Sequence, residues 1–417
     1  MLVIFSCLCY NFGMEEQSKY AFGVDVGTEN VRAVALEIKS EGTVKVIGYG
    51  EAKTEKGMRK GVVSNLNGPA EAVDRALKDV EGMSGVNVDA AYVSINGVHL
   101  SSEKVSGMVA VMTGQGITND DLDRLEDTAL SGKITNNREV LDLVPLNYVL
   151  DGQSGIRSPL GMIASKIEIL ANVVSGLKPC VDNLARAMEQ ARLRVLRFVP
   201  TSVAAARAVT TEKQMENGVC VIDFGATTTS VAVYDEGDLQ YIGVIPAGAA
   251  NITKDLAISL ELNTEVAEEI KLRHVTADFV PSDKEISMRH NGEVVNFSKN
   301  EVNEIVKARL VDIFEHVIEH LERAGYYQKL PEGAVIVGAG AKMKGLAGFS
   351  KEVLRMATRI GKPGSSLKGV AENIELPEYS TAIGLALLMA EGGSFQGANE
   401  PKEKKPFSIF GLFKRAK

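Results

Sequence analysis

The feature that most constrains the fold is a hairpin pattern in residues 219–234, VCVIDFGATTTSVAVY. An apolar strand ends at Asp223, a turn follows at Gly225, and a second apolar strand returns. The glycine permits a tight turn, and the small residues after it leave backbone N–H groups uncovered, so the bend can form a nest for phosphate oxygens. Asp223 could orient a hydrated Mg²⁺. A single copy of this pattern favours an ordinary hairpin, because such units are common.

The same pattern occurs a second time, in residues 21–36, AFGVDVGTENVRAVAL. Asp25 ends the first strand of this copy, Gly27 makes the turn, and an apolar strand returns. Two such hairpins, one opening each half of the chain, predict a duplicated domain with its ligand between the halves.

Length, charge and cysteine content narrow the class of protein further. A chain of 417 residues is too long for one hydrophobic core, which agrees with two lobes. The formal net charge of −8 argues against a nucleic-acid binder, so no nucleic-acid partner is expected. The four cysteines lack metal-ligand spacing and are interpreted as reduced thiols. His316 and His320 lie one turn apart on a predicted helix without a third ligand, which favours a solvated face over a metal site.

The N-terminal segment is apolar but unlike a signal peptide. Residues 1–13, MLVIFSCLCYNFG, have no basic region and are too short to span a bilayer. We interpret these residues as the result of a translation start assigned upstream of the true one, with a weak membrane anchor as the alternative. No transmembrane helix is expected elsewhere.

The first half predicts a lobe of alternating strands and helices that is interrupted by a compact α+β insert from about Ser102. Thr118 can cap the helix of this insert, and Asp120 and Asp121 complement its dipole. The predicted strands are 43–51, 90–95, 107–112, 139–150 and 166–174, and the predicted helices are 61–82, 119–131 and 179–193.

The second half carries its own insert and a glycine-rich bend. Residues 334–346, AVIVGAGAKMKGL, predict a strand that ends where a flat purine could pass close to backbone at Gly338 and Gly340. An ordinary strand-to-helix turn is the alternative, and the place of this segment in the repeat favours a ligand loop. The other predicted elements are helices at 252–260, 265–272, 301–324 and 379–390, and a polar hairpin at 285–288 and 293–297.

The sequence of the C-terminal segment predicts a helix that lies on a membrane surface and is joined to the core by a linker. After a polar linker, the segment PFSIFGLFKRAK places aromatic and aliphatic residues on one broad arc of a helix. From Pro401 onward there are six Lys or Arg and one Glu, a charge of +5 on a chain whose total is −8. Each basic residue gains about 1 kcal/mol near anionic lipid, and polymerisation would add avidity. Docking on the same protein or a disordered tip are the alternatives. The predicted membrane residues are Phe407, Ile409, Phe410, Leu412, Phe413, Lys414, Arg415 and Lys417.

With these features placed, the chain resembles the actin, heat-shock chaperone and sugar kinase superfamily and, within it, the family of the bacterial cell-division protein FtsA. The most specific segments are GMRKGVVSNL from Gly57, VSINGVHLSSEKVSG in 93–107 and LVPLNYVLDGQSGIRSPLGM in 143–162. The resemblance implies an α/β, actin-like, two-lobed ATPase fold with a small α+β (SHS2-type) insert in the first lobe and an amphipathic C-terminal helix.

The resemblance also implies a division of the chain into segments. The predicted segments are an N-terminal extension (1–19), the first lobe (20–101 and 177–213), its insert (102–176), the second lobe (214–251 and 331–392), its insert (252–330), a linker (393–406) and the membrane-targeting helix (407–417).

By the same resemblance, ATP and Mg²⁺ are the expected cofactors, with Mg²⁺ held by Asp25 and Asp223 through water. Two phosphate loops, a segment after a proline, two residues of the second insert and the adenosine loop would bind the nucleotide. The implied nucleotide-binding residues are Asp25, Gly27, Thr28, Glu29, Asn30, Asp223, Gly225, Ala226, Thr227, Thr228, Gly248, Asn251, Glu268, Lys271, Gly338, Ala339, Gly340 and Met343.

Two positions depart from the pattern of the family. Ala249 and Ala339 each stand where glycine is usual and add a methyl group near the expected nucleotide. No catalytic base is evident, so we expect ATP binding and at most slow hydrolysis.

The implied partners are the acidic C-terminal tail of the tubulin-like protein FtsZ, further copies of the chain in a filament, an anionic membrane surface, and later division proteins through the 102–176 insert. Arg309 falls at a position implicated in holding the FtsZ tail, although Asp312 replaces a more usual glutamate nearby. From the residues alone, Arg309 is a solvated charge on an amphipathic helix. The expected location is peripheral, on the cytoplasmic face of the membrane at the division site.

Three other functions compete with this expectation. A sugar kinase of the same fold would need a carboxylate base in a substrate cleft and no basic aromatic tail. A chaperone ATPase would need a peptide-binding domain after the core, and only about 25 residues follow Ala390. A pilus-assembly adaptor shares the core and insert but leaves the tail unexplained.

Overall fold

The computed structural model describes residues 19–392 apart from 40–42, 113, 115, 291, 364–366 and 368–373. The predictions for Cys7, Cys9, the segment before Lys19, the linker and the membrane-targeting helix therefore lie outside the described residues.

The first half of the chain forms a lobe with an inserted subdomain. Its elements in chain order are β1 (Lys19–Val26), β2 (Asn30–Ile38), β3 (Val44–Lys53), β4 (Met58–Arg59), β5 (Val62–Val63), α1 (Asn67–Ser84), β6 (Ala90–Ile95), β7 (Ser101–Ala110), α2 (Asn119–Leu130), β8 (Arg138–Leu150), β9 (Gln153–Ile156), β10 (Lys166–Leu177), α3 (Lys178–Gln190) and β11 (Arg194–Pro200).

The second half follows with a second lobe and its own insert. Its elements are α4 (Thr201–Val209), α5 (Glu212–Asn217), β12 (Val219–Phe224), β13 (Thr229–Asp235), β14 (Asp238–Ile245), α6 (Ala249–Ser259), α7 (Thr264–His274), β15 (Glu285–His290), β16 (Glu293–Ser298), α8 (Lys299–Ala324), β17 (Ala334–Val337), α9 (Leu346–Leu354), β18 (Thr358–Ile360) and α10 (Ser380–Glu391).

Two five-stranded sheets share one topology. The first has the order β11-β6-β1-β2-β3 and the second the order β14-β13-β12-β17-β18. In each, three consecutive strands pair antiparallel, and two later strands add in parallel on the other side of the first strand. Asp25 lies opposite Arg32 in the first hairpin, and Asp223 lies opposite Ser230 in the second, so the repeat extends to the register.

The first insert is a four-stranded antiparallel sheet, with the order β7-β10-β8-β9, covered by α2. Thr118 caps α2 as predicted, because its hydroxyl accepts from the Asp121 N–H at 3.3 Å while the Asp121 carboxylate accepts from the Thr118 N–H at 3.0 Å. Leu125 and Ala129 on this helix are fully buried against the sheet.

Two predictions about helices differ from the structure. The first helix begins at Asn67 and not at Gly61, because Gly61 has a φ of +77° in the turn between β4 and β5, outside the helical region. Helix α10, assigned from sequence to the second lobe, packs on β1, β2 and β6 of the first sheet and on α4. The close approach is visible at Gly384, where a Cβ would lie 1.7 Å from the carbonyl oxygen of Ala204.

The second insert is built around the long helix α8. Its apolar face packs against α6, the β15–β16 hairpin and α9, with Val306, Leu310 and Val317 fully buried. None of the helices among the described residues combines the length and the apolar character needed to cross a membrane.

Candidate functional site

The tips of the two repeated hairpins meet each other. In each turn the glycine N–H donates to the carbonyl oxygen three residues later, from Gly27 to Asn30 at 3.1 Å and from Gly225 to Thr228 at 3.0 Å. The Thr227 hydroxyl donates to the hydroxyl of Thr28 at 2.9 Å. The structure therefore brings both predicted phosphate loops together between the two sheets.

The two predicted metal-binding carboxylates lie buried beneath these turns. Burial, and then the neighbouring charge of Asp25, raise the pKa of Asp223 to about 7. Burial also raises the pKa of Asp25, although a hydrogen bond from Ser94 and the charge of Arg32 act in the opposite direction. A cation bound between two buried carboxylates would offset their electrostatic repulsion. Mg²⁺ prefers oxygen ligands. The residues present therefore fit a magnesium ion.

Sequence reasoning missed Arg32, a buried cation beside these carboxylates. Its side chain is only 10% exposed, and one guanidinium nitrogen lies 2.7 Å from a carboxylate oxygen of Glu51. The guanidinium carbon lies 5.6 Å from the ring centroid of Tyr379, and Nε has no hydrogen-bond partner among the described residues. A buried donor without a partner is costly, so Arg32 is an unusual group at this position. The signal was its place opposite Asp25 in the hairpin.

The predicted adenosine loop lies directly against the end of β12. Residues Ala339–Lys342 form a single 3₁₀ turn. A Cβ at Gly340 would lie 2.5 Å from the ring of Phe224, so this backbone must pass close to β12. Ala339 is exposed, and its methyl group therefore does not crowd this contact.

The predicted segment after the proline joins the second hairpin tip. The N–H groups of Ala249 and Ala250 donate to the carbonyl oxygens of Gly225 and Ala226 at 2.9 and 2.7 Å. The Asn251 side-chain oxygen accepts from the Gly248 N–H at 3.1 Å. The start of α6 is thereby fixed beside the phosphate loop.

The two predicted residues of the second insert reach the same place. Lys271 lies 2.7 Å from Glu268 and donates to the Thr253 hydroxyl at 2.9 Å and to the carbonyl oxygen of Ala249 at 3.3 Å. Glu268 also accepts from the Thr253 hydroxyl. These contacts link α7 to the start of α6, so the second insert is attached next to the second phosphate loop.

The remaining predicted nucleotide-binding residues, Glu29, Asn30 and Met343, lie in the first phosphate loop and at the end of the adenosine loop. Glu29 and Asn30 lie at the first turn, where the carbonyl of Glu29 accepts from the Thr54 N–H at 2.7 Å. Met343 ends the adenosine loop and packs partly buried against the core of the second lobe.

Arg309 lies outside the cleft, on α8. Its guanidinium donates to both carboxylate oxygens of Asp255, at 2.6 and 3.1 Å, and to Asp312 at 2.6 Å. The residue is therefore a partly buried ion-pair centre, not the freely solvated charge that the sequence alone indicated.

His316 and His320 do not share a ligand site. His320 accepts from, or donates to, the Tyr241 hydroxyl at 2.8 Å, whereas His316 lies 2.9 Å from Glu319. No cluster of three metal-ligating side chains occurs in the part of the chain that the structure describes.

Duplicated sheets whose Asp-x-Gly hairpins meet at their tips define an actin-like fold, and solved structures agree. A PilM–PilN type IV pilus biogenesis complex matches with a TM-score of 0.65 and 16% identity, over 88% of this chain and 97% of the other. MreB5 of Spiroplasma citri bound to ADP matches with a TM-score of 0.50 and 13% identity, over 89% and 96%. At this identity the similarity establishes the fold.

The family follows from sequence comparison. The cell division protein FtsA of Pseudomonas aeruginosa is 31% identical over 401 residues, covering 93% of this chain and 95% of the relative. The cell division protein FtsA of Escherichia coli (strain K12) is 28% identical over 95% of this chain and 96% of the relative. A family model for cell division protein FtsA matches residues 220–384, and one for the SHS2 domain inserted in FtsA matches residues 97–175. The chain belongs to the FtsA family of cell division proteins.

Proposed function

We propose that this cell division protein binds Mg·ATP between its lobes, assembles into filaments at the inner face of the cytoplasmic membrane, and tethers FtsZ filaments there. The observation that carries the nucleotide-binding part is the meeting of the two Asp-x-Gly hairpins above a pair of buried carboxylates. MreB5 of Spiroplasma citri, a structural neighbour at a TM-score of 0.50, has been solved bound to ADP and to AMPPNP.

The roles of the residues follow from their chemistry. Asp25 and Asp223 would hold Mg²⁺ through water, and the backbone N–H groups of both turns would receive phosphate oxygens. The bound metal would neutralise the phosphate charge. Arg32 would contribute a fixed cation on the cleft floor.

Slow hydrolysis of ATP is consistent with the arrangement of Asp25 and Asp223. Both carboxylates of the cleft floor are assigned to the metal, and the hydroxyl of Thr201 is hydrogen-bonded to Asp223. A threonine hydroxyl is a poor general base at neutral pH. We therefore propose that the nucleotide acts mainly through binding.

The proposed partners are inferred from the FtsA family and from the charge of the residues that would bind them. Arg309 would receive a carboxylate of the FtsZ tail, in competition with Asp255 and Asp312. The C-terminal segment from Pro401 would bind anionic lipid, and the first insert would contact later division proteins.

Calorimetric titration with Mg·ATP tests the nucleotide site. At Gly248 a Cβ would lie 2.5 Å from the carbonyl oxygen of Gly225 and 2.7 Å from that of Ala226, so Gly248→Ala must displace the second phosphate loop. We expect at least a roughly tenfold loss of affinity, equivalent to about 1.4 kcal/mol. Gly82→Ala is the control, because a Cβ there meets nothing within 4 Å. Undiminished affinity in Gly248→Ala would contradict the site.

A further inference from the structure

The end of strand β6, in the first lobe, contacts both repeated hairpins. Ser94, near the end of this strand, accepts from the Val26 N–H at 2.8 Å and donates to the carboxylate of Asp25, both in the first hairpin. Asn96 follows the strand directly, and its side chain reaches the second hairpin, which belongs to the second lobe. Asn96 therefore connects the first lobe to the second phosphate loop.

Two donors fix the orientation of the Asn96 side-chain amide. The Gly97 N–H donates to the side-chain oxygen at 2.7 Å, and the hydroxyl of Ser230 donates to the same atom at 2.9 Å. A backbone N–H can only donate, so the side-chain atom that faces it must be the oxygen. The amide nitrogen is therefore the atom that faces Thr228, 3.1 Å from its hydroxyl oxygen.

This orientation sets the direction of the hydrogen bond to Thr228. An amide nitrogen donates and does not accept, so the hydroxyl oxygen of Thr228 accepts and its proton must point away from Asn96. Thr228 lies in the turn of the second phosphate loop, where its carbonyl oxygen accepts from the Gly225 N–H at 3.0 Å. Asn96 thus holds the Thr228 hydroxyl as a donor towards the side that faces away from the amide.

We propose that Asn96 is a positioning residue of the nucleotide site, which keeps the Thr228 hydroxyl turned so that it donates to a phosphate oxygen of Mg·ATP. Without the amide this hydroxyl rotates, and its direction has to be fixed again when the nucleotide binds. A donor that is oriented in advance avoids this cost and strengthens binding. The inference rests on the proposed nucleotide site and adds to it a residue that lies outside both hairpins.

The test is a double-mutant cycle on the affinity of the full chain for Mg·ATP, measured by titration calorimetry. Thr228→Val removes the hydroxyl and keeps the branched shape of the side chain. Asn96→Ala and Thr228→Val should each weaken binding roughly three- to tenfold, as expected for one hydrogen bond. Because Asn96 acts through Thr228, the double variant should bind no more weakly than Thr228→Val alone.

Two results of this cycle overturn the inference. The first is an unchanged affinity in Asn96→Ala. The second is a double variant whose loss equals the product of the two single losses, since Asn96 would then act independently of the Thr228 hydroxyl. Asn87→Ala is the matched control, because Asn87 is exposed, contacts Asp89 and precedes the opposite end of β6. Its affinity should equal that of the wild type, and a loss as large as that of Asn96→Ala would also overturn the inference.

A second variant keeps the test decisive if Asn96→Ala does not fold. Asn96→Asp preserves the volume and the acceptor for Gly97, but its carboxylate takes the proton of Thr228. Binding should weaken, and part of that loss should disappear in the Thr228→Val background, whereas independent losses again overturn the inference. A wild type that does not bind Mg·ATP refutes the proposed function and this inference with it. A wild type that binds, with independent losses in the variants, refutes only the role of Asn96.

Discussion

Replacing Asp238 with asparagine should stabilise the protein, and by more at pH 8 than at pH 5. Asp238 begins β14, where the first insert meets the second lobe. Burial raises the pKa of Asp238 to about 6, and the charges of Glu216 and Glu236 raise it while Arg157 lowers it. The ionised carboxylate is therefore unfavourable in the folded protein.

The sign and size of the effect follow from linkage. A carboxyl group whose pKa is raised on folding binds its proton more tightly in the folded state, so its stability contribution is complete below pH 3.8 and is lost as the pH rises towards 6. The difference of about 2 in pKa corresponds to ~3 kcal/mol. Because the side chain is only partly shielded from solvent, we expect about 1–2 kcal/mol.

Urea unfolding followed by far-ultraviolet circular dichroism measures this effect, since the chain contains no Trp. Asp238→Asn should gain stability over the wild type at pH 8, and the gain should shrink at pH 5. Asp283→Asn, on an exposed loop, is the control for the removal of one negative charge. A gain that does not depend on pH, or a loss at pH 8, would refute the reasoning.

Two further predictions concern the adenosine loop and the partner site. Gly340→Ala should weaken Mg·ATP binding by tenfold or more, because the added methyl group meets the buried ring of Phe224. Gly348→Ala, with open space around the added methyl group, should bind Mg·ATP normally. Titration calorimetry measures both affinities. Arg309→Ala should weaken binding of a synthetic FtsZ tail peptide, measured by fluorescence anisotropy, and Asp255→Asn should strengthen it by freeing the guanidinium. Lys307→Ala, an exposed neighbour, is the control, and equal affinities across the set would exclude Arg309 from the site.

The repeat and the local elements were predictable from sequence because they depend on short-range patterns. The Asp-x-Gly turns follow from glycine and small residues in adjacent positions, and the capping of α2 follows from Thr118 and Asp121. Helix α8 is found because its apolar positions recur at helical spacing over many turns.

Features that depend on distant partners could not be predicted. Strand β18 has three residues and is defined by its parallel pairing with β17, so local periodicity does not indicate it. The apolar sequence of α10 predicts burial but not which sheet it covers. Asn96 resembles an ordinary polar position until the fold brings its side-chain amide within 3.1 Å of the Thr228 hydroxyl on the second hairpin.

The most direct test of the account is sedimentation of the full chain with anionic liposomes, with and without Mg·ATP. A chain truncated after Lys405 and neutral liposomes are the controls. The account predicts that only the full chain pellets, only with anionic lipid, and that Mg·ATP increases the pelleted fraction cooperatively through polymerisation. If the full chain stays in solution under every condition, or if the truncated chain pellets equally well, the proposed membrane tether is contradicted.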